Sequence, residues 1–171
     1  MQFAGADSRD RTLDPQFTFV NVPIVPSSQD DYRQLLKQYV TPALHGEGLE
    51  GSNGKYQLRS DSVWALLDFQ KSAGNSAHEV KFTVNLLVVA KKSWNVAREK
   101  WTFYPAKPSA NRVWQEVEWQ TRIGRLLPDG LDHWWWLRDG DEVSRVGPDV
   151  VEALTVWGLP ALKHQVSLIE S

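Results

Sequence analysis

Two runs decide how this chain reads: Val63-Trp64-Ala65-Leu66-Leu67-Asp68-Phe69-Gln70-Lys71-Ser72 and Val80-Lys81-Phe82-Thr83-Val84-Asn85-Leu86-Leu87-Val88-Val89. Both are rich in β-branched and large apolar residues, and the polar stretch Ala73 to His78 separates them, so together they predict a hairpin at the centre of a sheet. In the second run Val80, Phe82, Val84, Leu86 and Val88 alternate with Lys81, Thr83 and Asn85, the pattern of a strand buried on one face. From Leu86 to Val89 every residue is apolar, which places that end of the strand inside the core on both faces. Gln70, Lys71 and Asn85 stand out as polar groups on these strands.

Working outward, Ser27 or Ser28 is expected to cap a helix, with Gln29, Asp30 and Asp31 in the first turn where the helix dipole favours acids. Tyr32, Leu35, Leu36, Tyr39, Val40 and Leu44 follow at helical spacing, Pro42 kinks or tightens the last turn, and Gly46 and Gly48 end it. Residues 1–27 are read as an extended arm with partial order at best before Asp14 and an edge strand at Phe17-Thr18-Phe19-Val20; residues 28–171 are read as a single domain. Glu47 to Gly54 reads as a loop leading to a short strand at Lys55 to Arg59. Ala90 to Arg112 is an excursion, either a helical turn or a loop, broken by Pro105 and Pro108. Val113 to Leu127 resumes a strand, Pro128-Asp129-Gly130 turns the chain, and His133 to Leu137 pairs back as the final strand. Pro148-Asp149 is expected to open a C-terminal helix that Gly158 and Pro160 interrupt. The order describes an α+β fold: an antiparallel sheet of about four to six strands packed by an N-terminal and a C-terminal helix.

With 171 residues, a formal charge of −2 and no cysteine, the chain is long enough for one core, carries no general attraction for nucleic acid or anionic lipid, and holds no disulfide or thiolate chemistry. Its longest apolar runs are about ten residues, half of what a spanning helix requires. With no signal-peptide pattern at Met1 to Thr18, the expected location is the cytoplasm.

Nine tryptophans stand at 64, 94, 101, 114, 119, 134, 135, 136 and 157. Each buries on the order of 200 Å² and seeks a partner for its N–H, so they build a core, a surface, or both. In a strand, Trp134 and Trp136 cannot share a face with Trp135.

Several of these pieces together resemble a known family. Gly48-Leu49, Tyr56, Phe69-Gln70-Lys71-Ser72, Phe82-x-x-Asn85-Leu86, Trp119-x-x-Arg122-Ile123-Gly124 and Gly158-Leu159-Pro160 resemble the bacterial domain-of-unknown-function family numbered 4304, over roughly Asp30 to Leu162. The chain departs from that pattern at Leu87, where the family usually has glycine, and in a longer Trp94 to Asn111 stretch. The resemblance implies an α+β fold and carries no established activity, so no catalytic residue follows from it.

The candidate site comprises Asp68, Gln70, Lys71, Asn85 and Arg122 on neighbouring segments, with Trp134, Trp135 and Trp136. An arginine flanked by amides reads a carboxylate, a phosphate or a peptide backbone; equally, Gln70 and Asn85 satisfy strand ends while Arg122 pairs with Asp68 or Glu118. No metal site is expected, since His45, His78, His133 and His164 have no ligand spacing, and no cofactor. Ser72, His133 and Asp68 lack the elbow of a serine hydrolase, and Gly46 to Gly51 lacks the lysine of a phosphate loop. Asp139-Gly140-Asp141-Glu142 reads as a solvated turn rather than a calcium loop. Lys91-Lys92 with Trp94, Arg98, Lys100 and Trp101 interleaves bases and aromatics as single-strand binders do, but is short, and nucleic acid is not the expected partner. The expected function is a small intracellular bacterial binding protein, an immunity-type or accessory factor that docks another protein through a Trp-rich sheet face. The alternative is an enzyme or small-ligand binder whose groove, built on Gln70, Lys71, Asn85 and Arg122, takes an anionic or amide-bearing molecule.

Overall fold

The computed structural model of the protein describes residues 24–141 and 143–171. The edge strand expected at Phe17 to Val20, and the arm up to residue 23, lie outside the described residues.

Ser27 caps the first helix, α1 (Ser28–Leu35), through a capping box: its hydroxyl accepts from the Asp30 N–H at 3.3 Å, and the Asp30 carboxylate accepts from the Ser27 N–H at 3.3 Å. The helix continues through a π turn at Leu36–Val40 into α2 (Thr41–Gly46). The wide turn falls where Pro42 brings a ring and no N–H, and the Thr41 N–H reaches back to the Leu36 carbonyl. The C-terminal end repeats the device. There α4 (Val143–Glu152) widens at Ala153–Gly158 and resumes as α5 (Leu159–Glu170), with Pro160 in its first turn and the Leu159 N–H on the Leu154 carbonyl. The expected opening of this helix at Pro148 is corrected: it begins at Val143, because the buried stripe Val143, Val146, Val150 runs straight past the proline.

Between the helices lies a six-stranded antiparallel sheet. The expected loop at Glu47 to Gly54 is instead a strand and a turn. β1 (Leu49–Ser52) and β2 (Lys55–Leu58) form a hairpin closed by Asn53-Gly54, whose φ angles of 53° and 80° supply the left-handed pair that a tight two-residue turn demands. β3 (Val63–Lys71) and β4 (Glu79–Ala90) form the central hairpin read from the sequence, in register from Val63↔Ala90 to Lys71↔Phe82. The Ala90 to Arg112 excursion opens as a helix, α3 (Lys91–Lys100), and continues as irregular chain to Glu118. The strand expected over Val113 to Leu127 shrinks to β5 (Trp119–Arg122), followed by a 3₁₀ turn at Ile123–Arg125.

The last strand, β6 (Trp135–Arg138), does not pair back on β5. It pairs with β4 at Glu79 to Phe82, while β5 pairs with β4 at Asn85 to Val88, so the two short strands lie end to end along one edge. At the junction the Thr83 hydroxyl donates to the His133 carbonyl at 2.7 Å. Gly124 is needed there, because a Cβ would stand 2.2 Å from the Leu131 oxygen and 2.5 Å from the His133 nitrogen.

The first face of the sheet packs Val63, Ala65, Leu67, Phe69, Val80, Phe82, Val84, Leu86 and Val88 against both broken helices. The second face carries Leu66, Leu87 and Val89 under Trp94, Ala97, Tyr104, Ala110 and Trp114 of α3 and the chain after it. The continuous apolar stretch at Leu86 to Val89 lies where both faces are covered.

Candidate functional site

Strand register sets Asp68, Asn85 and Arg122 side by side across β3, β4 and β5. By the two-residue alternation of the pleat, Gln70 joins them on the second face, and Lys71 points to the first. There the Lys71 ammonium donates to Gln29 Oε1 at 3.2 Å and sits 5.5 Å from the centre of the Tyr32 ring. The structure therefore gathers three of the four residues suggested for a polar groove and separates the fourth.

Asp68, 5% exposed, is an anchor for the covering chain, accepting from the Ser109 hydroxyl at 2.9 Å and the Ala110 N–H at 2.8 Å. Among the described residues its carboxylate hydrogen-bonds neither Arg122 nor Ser72 nor His133. Asn85, 7% exposed, is the hub of the group. Its amide donates to Gln70 Oε1 at 2.7 Å and to Asn111 Oδ1 at 2.9 Å, and its oxygen accepts from Arg122 Nε at 3.2 Å. An amide so engaged positions its neighbours and has little left to offer a ligand.

Arg122 reaches on to Asp132, Nη1 donating to the two carboxylate oxygens at 2.9 and 3.0 Å. The Trp134 indole N–H donates to the same carboxylate at 2.8 Å. These two contacts, Trp134 first and Arg122 after it, hold the Asp132 carboxyl below the usual aspartate range. Neither Asp68 nor Glu118 is the arginine's partner. The sequence reading missed Asp132, whose signal is its position two residues before Trp134.

Register also explains the tryptophan run. Trp135 faces inward, stacked on Phe82 with ring centres 5.6 Å apart, its N–H donating to Asp149 at 2.6 Å. Trp134 and Trp136 face outward on the second side, beyond the cover that α3 supplies, and Trp136 is 38% exposed. Lys81 stands opposite Trp136, its ammonium 4.6 Å from the Trp136 ring centre and 5.0 Å from that of Trp134. Arg122 lies 5.1 Å from Trp134 and Arg138 lies 5.2 Å from Trp136. The result is one row in the order Arg122, Trp134, Lys81, Trp136, Arg138, cation alternating with indole. Asp132 balances Arg122, and Glu79 balances Arg138. Among the described residues no carboxylate lies within ion-pair distance of Lys81.

Beside the row, a groove of about 690 Å³ runs along β5, with Gln70, Asn85 and Arg122 in its lining and Arg112, Val113 and Val117 across from them. The Lys91 to Trp101 stretch contributes no pair of free rings: Trp94 is fully buried and Trp101 is half-buried against the same core. Among the described residues, no group of three His, Asp or Glu side chains is placed to hold a metal ion, and no helix is long and apolar enough to cross a membrane.

The model of a family described as a domain of unknown function (DUF4304) matches residues 40–164. The chain belongs to this family. The Arg122-Ile123-Gly124 motif of this DUF4304 protein now has a physical reading: the arginine enters the polar group, the isoleucine enters the first core, and the glycine admits the close backbone of Leu131 and His133 ahead of β6. No curated protein and no solved structure matches the chain.

Proposed function

We propose that this protein is a small, non-catalytic docking factor of the bacterial cytoplasm, an immunity-type or accessory protein that holds another protein on the uncovered part of its second sheet face. The observation that carries this reading is the row itself. An ammonium held between two indoles keeps three N–H donors and a full charge, and among the described residues no acid neutralises it. A carboxylate on a partner surface completes it, and the flanking indoles supply the flat apolar area that anchors interfaces. Tryptophan and arginine are enriched among the residues that anchor interfaces, and here the two indoles flank Lys81 while the paired arginines Arg122 and Arg138 close the ends of the row. The polar group around Asn85 supports the row from behind and presents no convergent acid and base, which favours binding over turnover.

The test is co-purification with the tagged full chain from extracts of its native cell. A partner should be retained by the wild type and by Lys163→Ala, a control on α5 where Lys163 pairs with Glu47. It should fall at least tenfold with Lys81→Ala combined with Trp136→Ala, at unchanged melting temperature. A wild-type chain that retains no partner, or equal retention by the double variant, overturns the reading.

A further inference from the structure

We infer that the groove beside β5 binds the C-terminal carboxylate of an extended partner peptide, an inference that rests on the docking reading and names the partner segment.

The argument begins with which polar groups in the groove are already spent. Asn85 has used both amide protons and its oxygen. Gln120 donates to the Ala110 and Arg112 carbonyls at 3.2 and 2.7 Å and accepts from the Trp114 N–H at 3.3 Å. Glu118, the carboxylate in the lining, accepts from the Ser93 hydroxyl at 2.7 Å and the Ala90 N–H at 3.2 Å. Among the side-chain donors left without a hydrogen-bond partner among the described residues are Gln70 Nε2, Arg122 Nη2 and the Arg112 guanidinium, which lies 4.6 Å from the Trp114 ring centre. All three are donors and two carry charge. Gln70 and Arg122 bind the two ends of the same Asn85 amide, and both line the groove. The fitting ligand is an acceptor with negative charge.

Backbone geometry adds the second half. The Asp139 N–H bonds the His78 carbonyl, which sets the alternation along β4: His78, Val80, Phe82, Val84, Leu86 and Val88 direct their peptide groups toward β5 and β6. Trp119 and Thr121 therefore face inward to β4, and the peptide groups of Gln120 and Arg122 face outward along the groove. An extended segment pairs with this edge. The edge stops at Arg122, since Ile123 turns into the 3₁₀ segment, so a paired chain runs parallel to β5 and ends where the spare donors stand. A terminal carboxylate meets both demands. Val113, 89% exposed, and Val117 provide an apolar wall for a side chain of that peptide.

The test is fluorescence anisotropy of the full chain against an array of heptapeptides with apolar last residues, each made with a free and with an amidated C terminus. Some free-acid peptides should bind, and amidation should weaken each at least tenfold. Arg112→Ala, an exposed position, and Arg122→Lys should each weaken binding about fivefold or more with the melting temperature held, while Lys163→Ala should not. Equal binding of amidated peptides, indifference to both arginine variants, or N-acetyl-leucine binding as tightly as the best peptide overturns the inference. So does an array without binders. If the array fails while a native partner still depends on Lys81 and Trp136, the docking reading stands and this inference alone falls.

Discussion

On the first face of the sheet, Leu67, Phe69, Phe82, Val84 and Leu86 lie under two long helices; on the second, Leu66, Leu87 and Val89 lie under a ten-residue helix and about eighteen residues of irregular chain. A helix satisfies its own backbone, so the first face needs only apolar contact. Irregular chain arrives with carbonyls and N–H groups that a buried site must pair. Here the second face uses aromatic residues with polar ends. The Trp94 N–H donates to the Pro105 carbonyl at 3.0 Å, the Trp114 N–H to the Ser109 carbonyl at 2.7 Å, and the Tyr104 hydroxyl accepts from the Gln115 N–H at 3.1 Å. Part of the tryptophan excess thus fastens a loop-built cover. The cover ends at Asn111 and Asn85, and past that border, among the described residues, the face carries the cation–indole row, in which Trp136 is exposed.

The strongest way to break this contrast is Trp94→Ala. Trp94 is fully buried between Tyr104 and Trp114, at 4.8 and 4.9 Å between ring centres, and its loss should cost about 3–5 kcal/mol. Hydrogen exchange should quicken across residues 91–118 while the helices of the first face keep their protection. Phe82→Ala, a comparable loss under the helices, should speed exchange on both sides of the sheet. Identical patterns in the two variants would show that the faces do not behave as separable layers.

Asp68→Asn sharpens the comparison at lower cost. The exchange keeps the size of the side chain but weakens its hold on Ser109 and Ala110, and urea unfolding should lose about 2 kcal/mol. A loss below about 0.5 kcal/mol would mean that the cover is held by its rings alone.

The smallest effect concerns acid. Asp132 has a folded-state pKa below its ordinary value of 3.8, so its contribution is present above that value and disappears as pH falls through the lower, folded one. The carboxylate is exposed, so the stability change is slight. Trp134 emission should nevertheless shift below pH 3.8 as its N–H loses the charged acceptor, and Asp132→Asn should abolish the step. A transition at or above pH 3.8 would contradict the Asp132 assignment.

Much of this arrangement is visible in the sequence because it depends on near neighbours. The Ser27 cap, the central hairpin and the opposed directions of Trp134 and Trp135 follow from short spacings and from the two-residue pleat. The same pleat marks where both faces are covered, at Leu86 to Val89. The β1–β2 hairpin was legible in Asn53-Gly54, a turn signal hidden among the loop-like glycines around it. Leu87 and the long stretch after Trp94 belong to one feature, since Leu87 lies in the core that this stretch covers.

The chain alone determined the start of α1 at its Ser27 cap, strand alternation and the set of polar residues that share a side of β3. Tertiary structure alone decided that β6 joins β4 instead of β5, and with that choice it put Lys81 between two indoles and gave Arg122 to Asp132. The reason is physical. Pleat and helical period act over a few residues, whereas the partner of a four-residue strand is chosen by what the whole core leaves open.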